Sequence, residues 1–275
     1  MADGIDQPRW RSIQEAALTA PDALLLFAAS LVAGCVNAVA GGGSLITFPM
    51  LVWLGREPIL ANATNTVSLS PGSIAALHGY RDELVGLREW ILWGTIPSLA
   101  GGVVGAVLLL RTPSAVFSWL VPYLILFATA LFALSGPINA LARRRSPGSQ
   151  GGMPDEPRFG TVMTYQFLVS VYGGYFGAGI GIMMLAGLAL AGFVAIHRAI
   201  ALRNYYAILI NGIAAVYFIC FGAVAWKDAA VLTAGQVAGS WIAARVARSL
   251  PPSTVHGFVV CVGVAMAIAM FVRGR

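Results

Sequence analysis

Charged residues are scarce in this chain of 275 residues, and their scarcity excludes most classes of soluble protein. Only 10% of the residues are Asp, Glu, Lys or Arg, whereas 58% are hydrophobic. A soluble globular domain has about 25% charged residues. The composition therefore predicts an all-α fold, a polytopic bundle of membrane-spanning helices whose backbone polar groups are satisfied within the helices.

Acidic residues are the scarcest of the charged ones, and none of the 11 lies well inside a long apolar segment. Proton relays in membrane pumps usually use such intramembrane carboxylates, so the sequence argues against a carboxylate-based proton pathway. The chain also lacks a GxxxxGK[ST] phosphate-binding loop. We therefore do not expect this chain to drive transport with ATP by itself.

Histidine and cysteine, the usual ligands of catalytic metals, occur three times each. His78, His197 and His256 are scattered, and none has a carboxylate at helical spacing. The cysteines lie in apolar runs without metal-ligand spacing, which is typical of small buried side chains. We expect no metal, no cofactor and no enzymatic activity.

Long apolar segments dominate the rest of the sequence. Several have about 20 residues, enough to cross a hydrocarbon core roughly 30 Å thick, so we predict about eight spans. The first and fifth segments are longer than the others. The eight segments lie near residues 22–54, 59–79, 90–110, 118–141, 160–192, 199–221, 229–246 and 254–272.

The basic residues predict an orientation in the membrane. With eight spans and a cytoplasmic N-terminus, most of the Lys and Arg residues fall on the cytoplasmic side, which favours both termini inside. Residues 142–158 begin with an arginine triplet and continue with Gly, Pro and Ser, as expected of a cytoplasmic linker. Beside a span such a triplet is a topology signal, so we expect no nucleic-acid partner. The predicted segments are 1–21 (cytoplasmic N-terminus), 22–141 (first transmembrane repeat), 142–158 (cytoplasmic linker) and 159–275 (second transmembrane repeat).

Glycine clusters interrupt the first and fifth apolar segments. Three consecutive glycines occupy 41–43, and residues 173–181 contain five more. Each glycine disfavours a helix interior by roughly 1 kcal/mol relative to alanine, so both segments are predicted to be broken. Backbone N–H and C=O groups that a helix break leaves without a helical partner are tolerated at membrane depth only where protein buries them or where they line a polar cavity. Paired breaks in corresponding positions indicate the binding site of a transporter.

The two halves of the chain follow one order of features, which predicts an internal repeat. In each half a glycine break precedes a short apolar piece, and an asparagine then opens a new span. A pair of glycines spaced by four residues follows in the third span, and this spacing predicts close packing of helix backbones. We predict two four-span repeats. Whether the repeats are parallel or inverted stays open, because inversion requires the glycine segments to count as extra passes.

Residues around the breaks are the candidates for binding an anion. Backbone N–H groups at helix N-termini carry partial positive charge, and an arginine fork matches a pair of oxyanion oxygens. Two alternatives remain: Asn65 and Asn204 are ordinary helix caps, and Arg203 near a helix end reaches the lipid headgroups. The candidate substrate-binding residues are Asn37, Gly41, Gly42, Gly43, Ser44, Thr64, Asn65, Gly177, Gly179, Gly181, Arg203 and Asn204.

Three stretches resemble the sulfite exporter TauE/SafE family. They are residues 37–49 (Asn-Ala-Val-Ala-Gly-Gly-Gly-Ser-Leu-Ile-Thr-Phe-Pro), 63–65 (Ala-Thr-Asn) and 173–184 (Gly-Gly-Tyr-Phe-Gly-Ala-Gly-Ile-Gly-Ile-Met-Met). The resemblance covers residues 30–272. It implies a carrier in the bacterial inner membrane, whose partners are a small anionic substrate and the lipid bilayer. The implied substrates are sulfur-containing anions such as sulfite or organosulfonates, and the implied direction is export.

Two positions depart from the family pattern. Thr66 stands where many members have a basic residue, and Arg203 stands where a lysine is commoner. Both differences leave the identity of the anion open. The residues themselves also permit a passive anion channel, or a scaffold or accessory subunit whose breaks serve only close helix packing. Coupling ion and homo-oligomeric state are not fixed by the sequence.

Overall fold

The computed structural model describes residues 18–39, 42–79, 81–134, 136, 159–191, 193, 196–246 and 252–273. These residues form ten α-helices and a short 3-10 helix, Arg81–Leu84, and contain no strand, which confirms the predicted all-α class. The helices are α1 Ala20–Val39, α2 Ser44–Trp53, α3 Pro58–Gly79, α4 Arg88–Arg111, α5 Ser114–Ala133, α6 Phe159–Tyr175, α7 Ile180–Leu190, α8 Ile196–Cys220, α9 Trp226–Val246 and α10 Pro252–Arg273.

Four of the described helices, α1, α4, α5 and α8, are long and apolar enough to cross a membrane by length and composition. Helix α3 is long but more polar, and its first half is buried, while Ile74 in its second half is exposed. Its residues Asn62, Thr64, Asn65, Thr66 and Ser68 are all at most 5% exposed. A helical segment that protein surrounds on all sides does not need an apolar surface, since its neighbours satisfy its polar groups.

Each glycine break separates a long helix from a short one, which confirms that the first and fifth apolar segments are broken. Helix α1 has 20 residues, whereas α2 has 10 and extends only about 15 Å. A Cβ atom at Gly43 would lie 2.6 Å from the carbonyl oxygen of Ala33 and 3.1 Å from Asn37. The chain therefore folds back along α1 at the break. Each half of the described chain has five helices, one of them short, and the number of spans per half stays a prediction.

Helices α1 and α9 pack in parallel with their backbones in close contact. A Cβ atom at Gly235 would meet Phe27 and Ser30, and one at Gly239 would meet the carbonyl of Leu31. The contacts advance in the same direction along both helices. Glycine permits this approach because it has no side chain, as the small-residue spacing predicted.

Helices α4 and α6 form the same kind of parallel pair. Gly101 lies against Phe167 and Ser170, and Gly105 lies against Val171 four residues further along α6. Both tight pairs join one helix from each half of the chain. The halves are therefore interleaved and do not form separate bodies.

These directions place the end of α5 and the start of α1 on opposite faces of the described bundle. Helices α4 and α5 are joined by two residues and are antiparallel, so α5 ends at the face where α4 and α6 begin. We call this the linker face. Arg56, just before α3, pairs with Asp228 in the first turn of α9 at 2.6 Å, so α3 and α9 begin at the other face. Helix α1, parallel to α9, also begins there.

The start of α1 and the start of α6 therefore lie on opposite faces of the described bundle, whereas a count of eight spans puts them on one side. The difference comes from the return of the chain along α1 at the first break, and which face is cytoplasmic stays a prediction. Helix α10 runs antiparallel to α5, since Tyr123 contacts Phe271 and Gly263 lies against Thr129. Its end therefore lies on the face where α1 begins. Helices in corresponding places of the two halves run in opposite directions, while the sequence repeat itself stays a prediction.

Candidate functional site

A polar cavity lies between α3 and α8, at the level of the two breaks. It has space of about 50 Å³ for the centres of water-sized molecules. One water needs roughly 10–15 Å³ by this measure, so the cavity has room for a small anion. The lining residues are Asn37, Ser44, Asn65, Thr66, Leu69, Ser73, Phe176, Gly177, Ile180, Gly181, Arg203, Asn204, Ala207 and Asn211.

The structure brings seven of the twelve predicted site residues together around this cavity. They come from both halves of the chain, from five helices and the second break, although Asn37 and Asn204 are far apart in the sequence. The polar backbone at the breaks thus meets the polar faces of α3 and α8 at one place. The seven are Asn37, Ser44, Asn65, Gly177, Gly181, Arg203 and Asn204.

Three of the other predicted glycines, Gly42, Gly43 and Gly179, do not line the cavity. Gly41 lies outside the described residues. Gly42 packs against the ring of Phe132, and Gly43 precedes α2. Gly179 precedes α7 in the left-handed conformation, with φ 81°, which strongly favours glycine. These glycines shape the turns and the helix contacts.

Thr64 also faces away from the cavity. Its hydroxyl oxygen accepts a hydrogen bond from the backbone N–H of Ala225 at 3.0 Å. This bond connects α3 to the segment between α8 and α9 near the face where α9 begins. The structure thus places Thr64 in a contact between helices.

The sequence prediction missed Leu69, Ser73 and Ala207, which helical spacing identifies, whereas Asn211 and Thr66 were further polar candidates near the predicted site. Leu69 and Ser73 follow Asn65 at intervals of four residues, and Ala207 and Asn211 follow Arg203 in the same way. Residues four apart share one helix face. Extending the search one and two turns from each predicted residue would have found them. Phe176 and Ile180 are the remaining additions.

Arg203 lies inside the protein and not at a helix end. It follows Ile196, the first residue of α8, by seven positions, about 10 Å along the axis. A Cβ atom at Gly181 would lie 2.7 Å from its Nε atom and 3.0 Å from Cζ. The guanidinium group therefore packs against the start of α7, where only glycine leaves enough room.

Two helix N-termini face the cavity together with Arg203. Ser44 is the first residue of α2, and Ile180 and Gly181 are the first two of α7. Most N–H groups of these two first turns already donate to carbonyls of the preceding glycines, so the helix starts contribute mainly the partial positive charge of the helix dipole. Among the described residues that line the cavity, Arg203 is charged and no carboxylate occurs. The electrostatic balance therefore favours an anion.

The carbonyl groups near the second break are occupied by hydrogen bonds. The Tyr172 carbonyl accepts from the N–H groups of Phe176 and Gly177, at 2.8 and 3.2 Å. The Tyr175 carbonyl accepts from Nδ2 of Asn62, and the Ala178 carbonyl accepts from the Tyr172 hydroxyl. The partial negative charge at the end of α6 is thereby reduced. This satisfies the requirement that broken backbone in a membrane be paired.

Comparison with known proteins identifies the family. Residues 26–270 match the family described as sulfite exporter TauE/SafE. The chain belongs to the sulfite exporter TauE/SafE family. It is 30% identical over 249 residues to a probable membrane transporter protein, ORF9, of Sinorhizobium, covering 89% of this chain and 90% of the relative.

Relatives in other bacteria are described in similar words. A probable membrane transporter protein of Haemophilus influenzae is 30% identical over 90% of this chain and 93% of its own. The probable membrane transporter protein YfcA of Escherichia coli is 28% identical over 88% and 87%. No solved structure matches the chain. Family and relatives establish a membrane transporter of the TauE/SafE type.

Proposed function

We propose that this protein is a carrier of small sulfur-containing oxyanions, such as sulfite or organosulfonates, and that the cavity between α3 and α8 is its substrate site. The observation that carries the proposal is the guanidinium of Arg203, placed in a polar cavity between the N-termini of α2 and α7. Charged residues at membrane depth usually mark substrate pathways. The sulfur chemistry of the substrate rests on the family, and export is the direction that the family name gives.

Each lining group has a role in this proposal. Arg203 provides the counter-charge and a planar fork of donors for two oxygens of the anion. The amides of Asn65 and Asn204 flank the anion, and the positive ends of the α2 and α7 helix dipoles face it. The whole set lies between the two halves, so binding depends on their relative position.

We also propose that the linker face is cytoplasmic in the bacterial inner membrane. The arginine triplet at 143–145 follows α5, whose end lies at that face. Basic residues close to a span favour the cytoplasm. The start of α1 and the end of α10 then lie on the external face.

Purified protein in liposomes tests the function. Uptake of labelled sulfite should saturate and should show counterflow, since a carrier exposes its site alternately to either side. A panel of a short organosulfonate, thiosulfate and acetate would rank the substrates. Counterflow separates a carrier from an open pore, and liposomes without protein give the background. Parent protein that moves none of these anions above background would reject the proposal.

A further inference from the structure

Thr47 contacts the site from outside the cavity. It lies on α2, three residues after Ser44, and its side chain is fully buried. Its hydroxyl donates a hydrogen bond to Oδ1 of Asn65 at 2.5 Å. The carbonyl of Gly43 is farther away, at 3.3 Å. A hydroxyl has a single hydrogen, so the shorter bond to Asn65 takes it.

This bond determines which end of the Asn65 amide is available to a ligand. The amide has an accepting oxygen and a donating NH2 group. Thr47 occupies the oxygen, and Asn65 lines the cavity although it is only 2% exposed. An amide fixed in this way offers its N–H groups and not its oxygen. That choice favours an anion over a cation.

We propose that Thr47 is a positioning residue that makes Asn65 a hydrogen-bond donor to the anion, an inference that rests on the proposed function. Thr47 does not touch the substrate; it acts through Asn65. The hydrogen bond also connects α2 to α3, the two elements that contribute the first half of the site. Specificity for anions thus has a second source besides the charge of Arg203.

The second half of the chain has a different residue at the corresponding helix position. Thr47 is the fourth residue of α2, and the fourth residue of α7 is Met183. A methionine side chain has no O–H donor, so it cannot fix Asn204 as Thr47 fixes Asn65. Arg203, next to Asn204, provides a cation there instead. The anion therefore meets an oriented amide from one half and a guanidinium from the other.

A double-mutant cycle on uptake of labelled sulfite tests the inference. The four proteins are the parent, Thr47→Val, Asn65→Ala and the double variant, each in liposomes. Thr47→Val should raise KM by roughly two- to tenfold at unchanged kcat, the scale of one neutral hydrogen bond. In the Asn65→Ala background the same change should have no further effect, because Thr47 then has nothing to orient.

Two more variants separate positioning from a structural role. Thr47→Ser keeps the hydroxyl and should retain the parent KM, which tests the proposal even when Asn65→Ala does not assemble. Thr129→Val removes a buried hydroxyl on α5 outside the cavity and should leave KM unchanged.

Three results would overturn the inference. If the increases in KM caused by Thr47→Val and Asn65→Ala multiply in the double variant, Thr47 acts independently of Asn65. A Thr47→Val protein with the parent KM would show that the bond does not affect binding. In both cases sulfite uptake by the parent would leave the proposed function standing. A parent protein that moves no anion would reject the proposed function and this inference together.

Discussion

Arg203 is the residue at which charge and placement coincide. Its guanidinium lies against Gly181 in a cavity that has no carboxylate among its described lining residues. The sequence left two roles open, an interior ligand or a headgroup contact. The depth of Arg203 within α8 favours the interior role, which remains a proposal until binding is measured.

Replacing Arg203 tests that role. Arg203→Gln should weaken sulfite binding at least about tenfold, because a hydrogen bond to a charged group contributes roughly 1.5–3 kcal/mol. Arg203→Lys should retain part of the affinity, since lysine keeps the charge but loses the fork. The measurement is KM for uptake in liposomes, with Arg111→Gln at the exposed end of α4 as the matched control. Parent affinity in Arg203→Gln would exclude Arg203 as a ligand.

Gly181 controls the position of the same guanidinium. A Cβ atom there would overlap Arg203 Nε at 2.7 Å, but the guanidinium is the end of a flexible side chain and can move. We therefore expect Gly181→Ala to fold normally and to raise KM several-fold.

Gly212→Ala is the control for that change, because its Cβ would meet no atom within 4 Å. It should keep the parent KM and, as a helix-interior Gly→Ala change, slightly raise the melting temperature. Equal KM values for Gly181→Ala and Gly212→Ala would contradict the proposed contact.

At the scale of elements, the parallel helix pairs depend on glycines that the sequence had already marked by spacing. Gly105 of α4 approaches the backbone of Val171 and Gly174 of α6. Backbone atoms cannot move aside as a side-chain end can. The two pairs, α1 with α9 and α4 with α6, therefore hold the interleaved halves together.

Gly105→Ala should destabilise the protein. Overpacking a tight contact typically costs about 1–3 kcal/mol, so the variant should melt at a lower temperature in detergent than the parent. Gly72→Ala on α3, where a Cβ would meet nothing within 4 Å, serves as the comparison within another helix. If Gly105→Ala and Gly72→Ala have the same melting temperature, the α4–α6 contact tolerates a side chain at position 105.

At the scale of the whole molecule, the directions of the helices determine which loops share a face. The 3-10 helix between α3 and α4 lies at the linker face, whereas Thr19 before α1 and Lys227 in α9 lie at the opposite one. Counting eight spans from the sequence places all three on one side.

Single cysteines distinguish the two arrangements. In a background without Cys35, Cys220 and Cys261, a membrane-impermeant maleimide applied to intact cells should label Thr19→Cys and Lys227→Cys. It should not label Val85→Cys, because the linker face is proposed to be cytoplasmic. Permeabilised cells provide the control for reactivity. Labelling of Val85→Cys together with Thr19→Cys would refute the helix directions.

The sequence by itself determined the class of protein and much of the site. Few charges and long apolar runs require internal pairing of backbone groups, so the all-α membrane fold followed from composition. Clustered glycines disfavour a continuous helix, so the sequence also predicted the two helix breaks. Seven of the predicted site residues meet at the cavity for the same reason: they are polar groups within otherwise apolar segments.

Only the tertiary structure decided how these parts are arranged. A 10-residue helix such as α2 resembles, in sequence, the second part of a broken span, and only its contact with Ala33 shows that the chain turns back. Because of that turn, the second half of the chain starts at the face opposite to the one where the first half starts. Likewise, nothing local shows that Thr47 meets Asn65 or that Gly181 accommodates Arg203. Such contacts join separate elements, so they depend on helix packing, which a local pattern does not specify.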